Sequence, residues 1–414
     1  MSAVADNLAA TAAPAPAAER TRLSPTFELA CVCCLWPPSD ERDRRVREAS
    51  AGVDWEALLR VLDRQRVQGL AHAALASARA PTPPAIRDQL AARAAAIARR
   101  GTALAAETVR LNGRLAEAGI PALFVKGASL AALAYGSQTL KQGRDIDFVV
   151  PETDADAAWR LLEADGYAPS APYRDLSPRQ RQAVLRLHKD LELTHPVRRT
   201  RAELHWRLTD NRALLPGLGA GSPSQTVRLP LGEVRTLADP ELFAYLCVHG
   251  ASHAWFRLKW LADLNAWLSH KTEAEIASLY VYAAAEGVEA CAGQALLLRR
   301  RLFGAAPPAA LAGRLERSWR MRWMTAAALD AVAGAGGEAE LESRPFGPFR
   351  LLPTQFLRGR GLAFAAGQWG LMSESLDDAL RYPLPPALRF LYPLMRLPLW
   401  VLRLVRRRRG RRAV

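Results

Sequence analysis

The feature that most constrains the fold is an alternation of short strands and helices in the second quarter of the chain. An apolar run at residues 122–125 lies between a proline and a glycine, which predicts a short buried strand. A helix is expected at residues 128–135, and a second strand at residues 146–150 stops before Pro151. Because strands this short are stable only in a sheet that packs against helices, the pattern indicates a layered domain.

The same pattern continues and is then replaced by helices. A helix is expected at residues 154–163, and strand-like runs at residues 190–194 and 202–206 are joined by a basic turn. On both sides of this region, apolar residues recur at helical spacing. We therefore predict an α+β fold, in which a small mixed-sheet domain is flanked by helical N- and C-terminal modules.

The organisation that we predict has five segments. These are a disordered lead-in (1–23), a helical N-terminal module (24–101), the mixed-sheet domain (102–236), a helical domain (237–340) and a proline-rich strap with a basic tail (341–414). The lead-in has neither the basic nor the apolar region of a signal peptide. Since no run of about 18 uncharged apolar residues occurs, we expect no spanning helix and a cytoplasmic location.

The charge of the chain is positive and unevenly placed. Lysine and arginine number 56 against 41 aspartates and glutamates, which gives a net charge of +15. Seven arginines lie within the last twelve residues, behind an amphipathic stretch. This segment either contacts an anionic membrane or nucleic acid, or packs as a strap on the helical domain and ends in a solvated tail. Charge by itself selects no partner, because every polyanion is attracted.

Asp145 and Asp147 form a carboxylate pair at the start of the second predicted strand. Residues two apart in a strand point to the same side, so both carboxylates converge. Such a pair suits Mg²⁺, which completes its coordination with water and substrate phosphates. The alternative is that the aspartates only cap nearby turns.

The turn after the first predicted strand is a candidate anion site. Lys126 and Gly127 form this turn, and the helix that begins near Ala128 would direct free backbone N–H groups toward a ligand. Gly127 allows a phosphate to approach the backbone, and Ser129 adds a hydroxyl. Lys126 adds positive charge unless its side chain faces solvent.

Glu203 and two histidines are further candidates. Glu203 shares a strand face with His205 and would reach a metal on the D-x-D strand, or else pair with an arginine at the surface. His249, His253 and Arg257 are four apart and are predicted to share a stripe on one helix. We expect polar core contacts for these two histidines, since no third zinc ligand is nearby.

Two basic residues after these histidines are candidates for substrate contacts. Arg257 and Lys259 are expected to help hold substrate phosphates. Asp263, four residues after Lys259, is expected to pair with it on the helix surface.

Three stretches together resemble a known family. They are LFVKGASLAALAYGSQTLKQGRDIDFVV, AELHWRL and LCVHGASHAWFRLKWLADLNAWL. These motifs are similar to those of the uncharacterised bacterial nucleotidyltransferase family, a branch of the DNA polymerase beta-like superfamily. The resemblance covers about residues 50 to 270 and rests on an ordered set: K-G, a tyrosine, D-I-D, E-x-H-W and H-x-x-x-H-x-W.

The resemblance implies an activity and a set of residues. It implies Mg²⁺-dependent transfer of a nucleoside monophosphate from a nucleoside triphosphate, such as ATP, to an unidentified acceptor. The implied metal ligands and catalytic residues are Asp145, Asp147 and Glu203, and the turn from Gly127 to Ser129 is implied to face the triphosphate. The nucleotide-binding residues that we predict in all are Lys126, Gly127, Ser129, Lys141, Arg144, Arg257 and Lys259. The chain departs from the family pattern where Ala128 separates Gly127 from Ser129. It also carries Lys141 where relatives often have an arginine, which either weakens the basic contact or moves it to Arg144.

Two other functions are consistent with these residues. One is a non-catalytic adaptor that keeps nucleotide binding. The other is a protein that associates with anionic membrane or nucleic acid through its basic C-terminus. No base-reading motif is recognisable, so we expect no sequence-specific nucleic-acid binding.

Overall fold

The computed structural model describes residues 23–171, 173–334, 353–373, 382, 384, 385, 388, 391, 392 and 395. Its N-terminal part is helical, as the periodicity predicts. The helices are α1 (Pro25–Cys33), α2 (Asp40–Ser50), α3 (Trp55–Gln65), α4 (Gln68–Ser77) and α5 (Pro84–Glu117). Helix α5 is continuous across the boundary that we predicted between residues 101 and 102. Gly101 lies at this boundary, inside the helix. A glycine there costs only about 1 kcal/mol of helix stability relative to alanine, which is too little to end a helix that packing stabilises.

The central part contains the predicted sheet. Its elements are β1 (Leu123–Phe124), α6 (Gly127–Tyr135), β2 (Ile146–Val149), α7 (Ala155–Ala164), β3 (Ala168–Pro169), α8 (Pro178–Leu187), β4 (Asp190–His195) and β5 (Thr200–His205). The strand order is β1-β2-β5-β4-β3, with β2 and β5 parallel and the other neighbours antiparallel. A separate hairpin follows, β6 (Ser224–Leu229) and β7 (Gly232–Leu237). The α+β fold with a small mixed sheet is confirmed.

The C-terminal part returns to helices. They are α9 (Asp239–Ser252), α10 (Leu258–Leu268), α11 (Glu273–Ala285), α12 (Glu289–Phe303), α13 (Ala309–Arg317), α14 (Trp319–Ala333) and α15 (Gly361–Ser373). None of the helices in the described ranges has the length and apolar character needed to cross a bilayer. Most of the C-terminal amphipathic stretch, and all seven terminal arginines, lie outside the described residues.

The helices before and after the sheet share one hydrophobic core. This core joins residues from α1, such as Phe27, to residues from α9 through α12, such as Trp267. Buried Gln65 connects the two regions, since its amide donates to the Val332 carbonyl at 2.7 Å and accepts from the Leu258 N–H at 2.6 Å. The two helical modules that we predicted separately therefore pack together beside the sheet.

The sheet has one apolar face and one polar face. Ile146, Phe148 and Leu204 lie on the apolar face, in a second core with α7. Because strand side chains alternate, Asp147 and Glu203 lie on the opposite face. The polar face is where the candidate site forms.

The helix predicted through His249, His253 and Arg257 is interrupted, and this prediction was wrong. Helix α9 ends at Ser252, and α10 begins at Leu258 with Arg257 as its N-cap. Between them Ala254 and Trp255 adopt left-handed backbone angles, φ 46 and 51. The Trp255 N–H then bonds the Gly250 carbonyl at 2.8 Å, which ends α9. The residue spacing alone could not show that the helix is interrupted here, since neither Ala254 nor Trp255 is a residue that favours left-handed backbone angles.

Candidate functional site

Asp147, Glu203 and His205 meet on the polar face of the sheet. Asp147 on β2 is directly opposite Glu203 on the parallel strand β5, and His205 follows two residues later on the same face. The imidazole Nε2 lies 3.7 Å from Asp147 Oδ1 and 3.6 Å from Glu203 Oε2. Potential ligand atoms of all three residues lie within 4.8 Å of one another. The parallel pairing of β2 and β5 thus brings distant parts of the sequence into one group.

Lys126 neutralises Asp147 in this group. Its ammonium Nζ lies 2.6 Å from Asp147 Oδ1, and both side chains are largely buried. Burial by itself would raise the pKa of Asp147, but Lys126 and His205 outweigh burial and hold the pKa well below its usual range. Asp147 in turn holds the pKa of Lys126 well above its usual value despite burial. Lys126 therefore points into the site and not toward solvent.

Glu203 and His205 also have shifted pKa values. Burial, followed by repulsion from Asp147, raises the pKa of Glu203 to about 7. Burial would lower the pKa of His205, but Asp147 and Glu203 raise it above its usual value. Glu203 and His205 are therefore suited to share a proton, because carboxylates surround a buried imidazole.

The donor atoms fit a metal ion. Both His205 ring nitrogens are buried and have no hydrogen-bond partner within the described part of the chain. Two carboxylates and an imidazole converge on the same space, and carboxylate oxygens suit Mg²⁺ or Mn²⁺ whereas imidazole favours transition metals. His205 was not among our predicted ligands, although strand alternation already placed it on the face of Glu203. Asp145 lines the same cavity but lies outside this group of three.

A cavity of about 410 Å³ extends from these carboxylates. Five of the predicted nucleotide-binding residues line it: Lys126, Gly127, Lys141, Arg257 and Lys259. The lining residues that were not predicted include Arg66, Lys189, Asp190 and Tyr245. The cavity therefore combines a carboxylate floor with walls that carry several positive charges, which suits a polyanionic ligand with a bound cation.

The turn between β1 and α6 opens toward the cavity. Gly127 adopts φ 58, a conformation that favours glycine, and Lys126 is the N-cap of α6 with no side-chain cap. Backbone N–H groups of the first turn thus have no side chain capping them. A larger residue at position 127 would strain the backbone even without a ligand, so its effect would not isolate a phosphate contact.

Two predicted nucleotide-binding residues are not brought to the cavity wall. Ser129 is fully buried, and its hydroxyl bonds the carbonyls of Phe124 at 2.5 Å and Lys126 at 2.7 Å. It thus holds the turn and does not face a phosphate. Arg144 is exposed, and its carbonyl accepts a hydrogen bond from Arg100 at 2.9 Å.

Asp263 is not the surface partner of Lys259 that we predicted. It is buried, forms an ion pair with Lys141, and accepts a hydrogen bond from the Tyr135 hydroxyl at 3.0 Å. The helix face that carries Asp263 packs on α6 instead of facing solvent. Asp263 therefore pairs with a residue of another part of the chain, and not with Lys259 four residues before it.

Part of the cavity wall is aromatic. The rings of His249 and His253 lie 4.9 Å apart, and each lies 5.3 Å from the Trp260 ring. Burial, followed by repulsion from Lys126, lowers the pKa of His249 well below its usual value. These two histidines do not belong to a metal-ligand group among the described residues. The group arranged to hold a metal there is Asp147, Glu203 and His205.

Comparison with known proteins places this site in a family. Residues 51–304 match the family described as uncharacterised nucleotidyltransferase. No curated protein and no solved structure gives a significant match. The matched range contains both acidic strands, the Lys126 turn and the aromatic wall, and it covers more than half of the 414 residues. On this basis, the chain belongs to the family of uncharacterised nucleotidyltransferases.

Proposed function

We propose that the protein transfers a nucleoside monophosphate from a nucleoside triphosphate to an acceptor, releasing pyrophosphate, with Mg²⁺ as the metal. The observation that carries this proposal is the pairing of the Asp147 and Glu203 carboxylates on a cavity with positively charged walls. Family membership supports the same chemistry. Within this proposal, the family is a branch of the DNA polymerase beta-like superfamily and the protein acts in the cytoplasm.

Three carboxylates would hold the metal in this proposal. They are Asp145, Asp147 and Glu203, and His205 touches the last two from the same face. Mg²⁺, when bound, neutralises phosphate charge and orients the phosphate oxygens. His205 would keep both carboxylates aligned, because a buried imidazole between two carboxylates restricts the rotation of their side chains.

The phosphates would be held by the basic side chains of the cavity. Lys126 remains charged beside the open N-terminus of α6, which adds backbone N–H groups. Lys141, Arg257 and Lys259 would add charge from the cavity lining, to which exposed Arg144 does not belong. Catalysis would then consist mainly of positioning and charge stabilisation.

The activity can be tested directly. The protein is incubated with Mg²⁺, candidate acceptors and each of the four ribonucleoside triphosphates, ATP first, and pyrophosphate release is measured. We expect release with at least one nucleotide, and removal of Mg²⁺ by EDTA should stop it. If no nucleotide releases pyrophosphate and none binds in calorimetric titrations, the proposed function is rejected.

Nucleotide affinity is also expected to depend on pH through Lys259. Burial, followed by repulsion from Lys141, lowers the pKa of Lys259 to about 8. Asp145 and Asp263 oppose this shift, and Arg66 adds to it. The amine is charged below this pKa and becomes neutral above it. We therefore expect the Kd for ATP with Mg²⁺ to rise by up to about tenfold per pH unit above about pH 8.

Calorimetric titrations at about pH 7 and about pH 9 check this expectation. The matched control is Lys259→Arg, because a guanidinium stays charged throughout this range. This variant should lose most of the rise in Kd. The same pH dependence in both proteins would show that Lys259 does not contact the nucleotide.

A further inference from the structure

Arg66 reaches the cavity from a part of the chain outside the sheet domain. It follows helix α3 as its C-cap, with its backbone in the left-handed conformation at φ 57. Its side chain lines the cavity together with Arg257 and Lys259. The helical N-terminal region thus contributes a guanidinium to a site whose carboxylates lie on β2 and β5.

The positive charges around the cavity differ in how they are balanced. Lys126, Lys141 and Lys189 each form an ion pair with a carboxylate, and the partners are Asp147, Asp263 and Asp190 respectively. Arg66 and Lys259 have no ion pair in the described part of the chain. Asp145 is a carboxylate that raises the pKa of both, which favours their charged forms. Two cations without an ion pair in the described part of the chain therefore line the cavity that Asp145 also lines.

The surroundings of Arg66 disfavour its charge. Burial, followed by repulsion from Arg144 and Arg257, lowers the pKa of Arg66 to about 10. Partly buried cations placed close together are costly unless an anion offsets their repulsion. Asp145, a proposed metal ligand, lines the same cavity as Arg66, so an anion held by the metal would also be attracted to the guanidinium.

We propose that Arg66 binds the phosphates of the nucleoside triphosphate, and that the helical N-terminal region thereby completes the nucleotide site. This inference rests on the proposed function and extends it to a residue outside the sheet domain. A guanidinium suits this role because its planar donors bind two phosphate oxygens at once and it stays charged near neutral pH. Arg66 is thus a substrate-binding residue held by the packing of α3.

The test uses Arg66→Asn in the full-length protein. Asparagine tolerates the left-handed conformation, so the substitution removes the charge without straining the backbone. The matched control is Arg79→Asn, because Arg79 also has a left-handed backbone, φ 50, follows a helix of the same region and is exposed. Both variants are expected to melt at or above the wild-type temperature.

The measurement is calorimetric binding of inorganic tripolyphosphate, with and without Mg²⁺. We expect Arg66→Asn to weaken binding by about 10- to 100-fold, the effect of losing hydrogen bonds between charged groups. Arg79→Asn should change the Kd by less than about twofold, since an exposed charge is screened by salt. Arg66→Lys should fall between wild type and Arg66→Asn, because it keeps the charge but not the paired donors.

The possible outcomes separate this inference from the proposed function. If Arg66→Asn binds tripolyphosphate as wild type does, or if both variants weaken it equally, the inference is overturned while the reaction stands. A wild-type protein that does not bind tripolyphosphate also overturns it. If binding depends on Arg66 but no nucleotide releases pyrophosphate, the phosphate site is retained and the proposed reaction is rejected.

Discussion

Asp147→Asn is expected to reduce Mg²⁺-dependent pyrophosphate release by about 10³-fold or more, since loss of even one group that stabilises transition-state charge costs about 10²- to 10³-fold. The substitution removes the charge of the carboxylate that faces Glu203 and contacts Lys126. It also leaves the Lys126 ammonium without its buried partner, which is strongly destabilising. We therefore expect a lower melting temperature in addition to the loss of turnover.

Asp145→Asn separates these two effects. Asp145 lines the cavity and is only half-buried, so the amide should preserve the fold while the metal loses a charged ligand. We expect loss of turnover with an unchanged melting temperature and circular dichroism spectrum. Turnover that persists at the wild-type rate in Asp145→Asn would exclude this residue from the metal site. If it persists in folded Asp147→Asn as well, the reaction occurs elsewhere.

Gly101→Ala is expected to lower the free energy of unfolding by about 1–3 kcal/mol, the usual cost of overpacking. A Cβ at Gly101 would collide with the backbone carbonyl of Gln138, in the loop that leads to Asp145. This carbonyl belongs to the main chain, so it cannot move aside as a flexible side chain would. Displacing the loop should also lower turnover, because Lys141 and Asp145 follow it.

The same helix provides the control for this prediction. Gly113 is exposed on α5, and a Cβ there would meet no atom within 4 Å. Gly113→Ala should therefore stabilise the protein by about 0.5–1 kcal/mol, since alanine reduces the entropy of the unfolded chain. Urea denaturation measures both changes. Equal free energies of unfolding for the two variants would show that the loop does not pack closely on Gly101.

Local pattern was enough to predict β1, α6, β2, α7, β4 and β5 of the sheet domain, but not β3, α8 or the β6–β7 hairpin. The apolar run before Lys126 and the run after Asp147 are both strands, and α6 begins at Gly127, one residue before the start that we predicted. These predictions succeed because strand and helix periods are set by neighbouring residues. The family relationship could also be recognised, since its motifs are ordered along the sequence.

Local pattern did not predict the partners of side chains that are buried by packing. Ser129 turned inward because the Phe124 and Lys126 carbonyls needed a donor at a buried turn. Asp263 is buried and not on the helix surface, because it pairs with Lys141 and Tyr135 from another part of the chain. In both cases the distant or buried partner offers a stronger interaction than solvent or a helical neighbour does.

The sequence by itself determined which residues share a face within a strand, as for Glu203 and His205 on β5. Only the tertiary structure decided that β2 and β5 are parallel neighbours, which places Asp147 opposite Glu203. It also decided that Arg66 reaches the same cavity from a helix far away in sequence. The physical reason is that backbone geometry sets the direction of a side chain within an element, whereas core packing sets how the elements lie against one another.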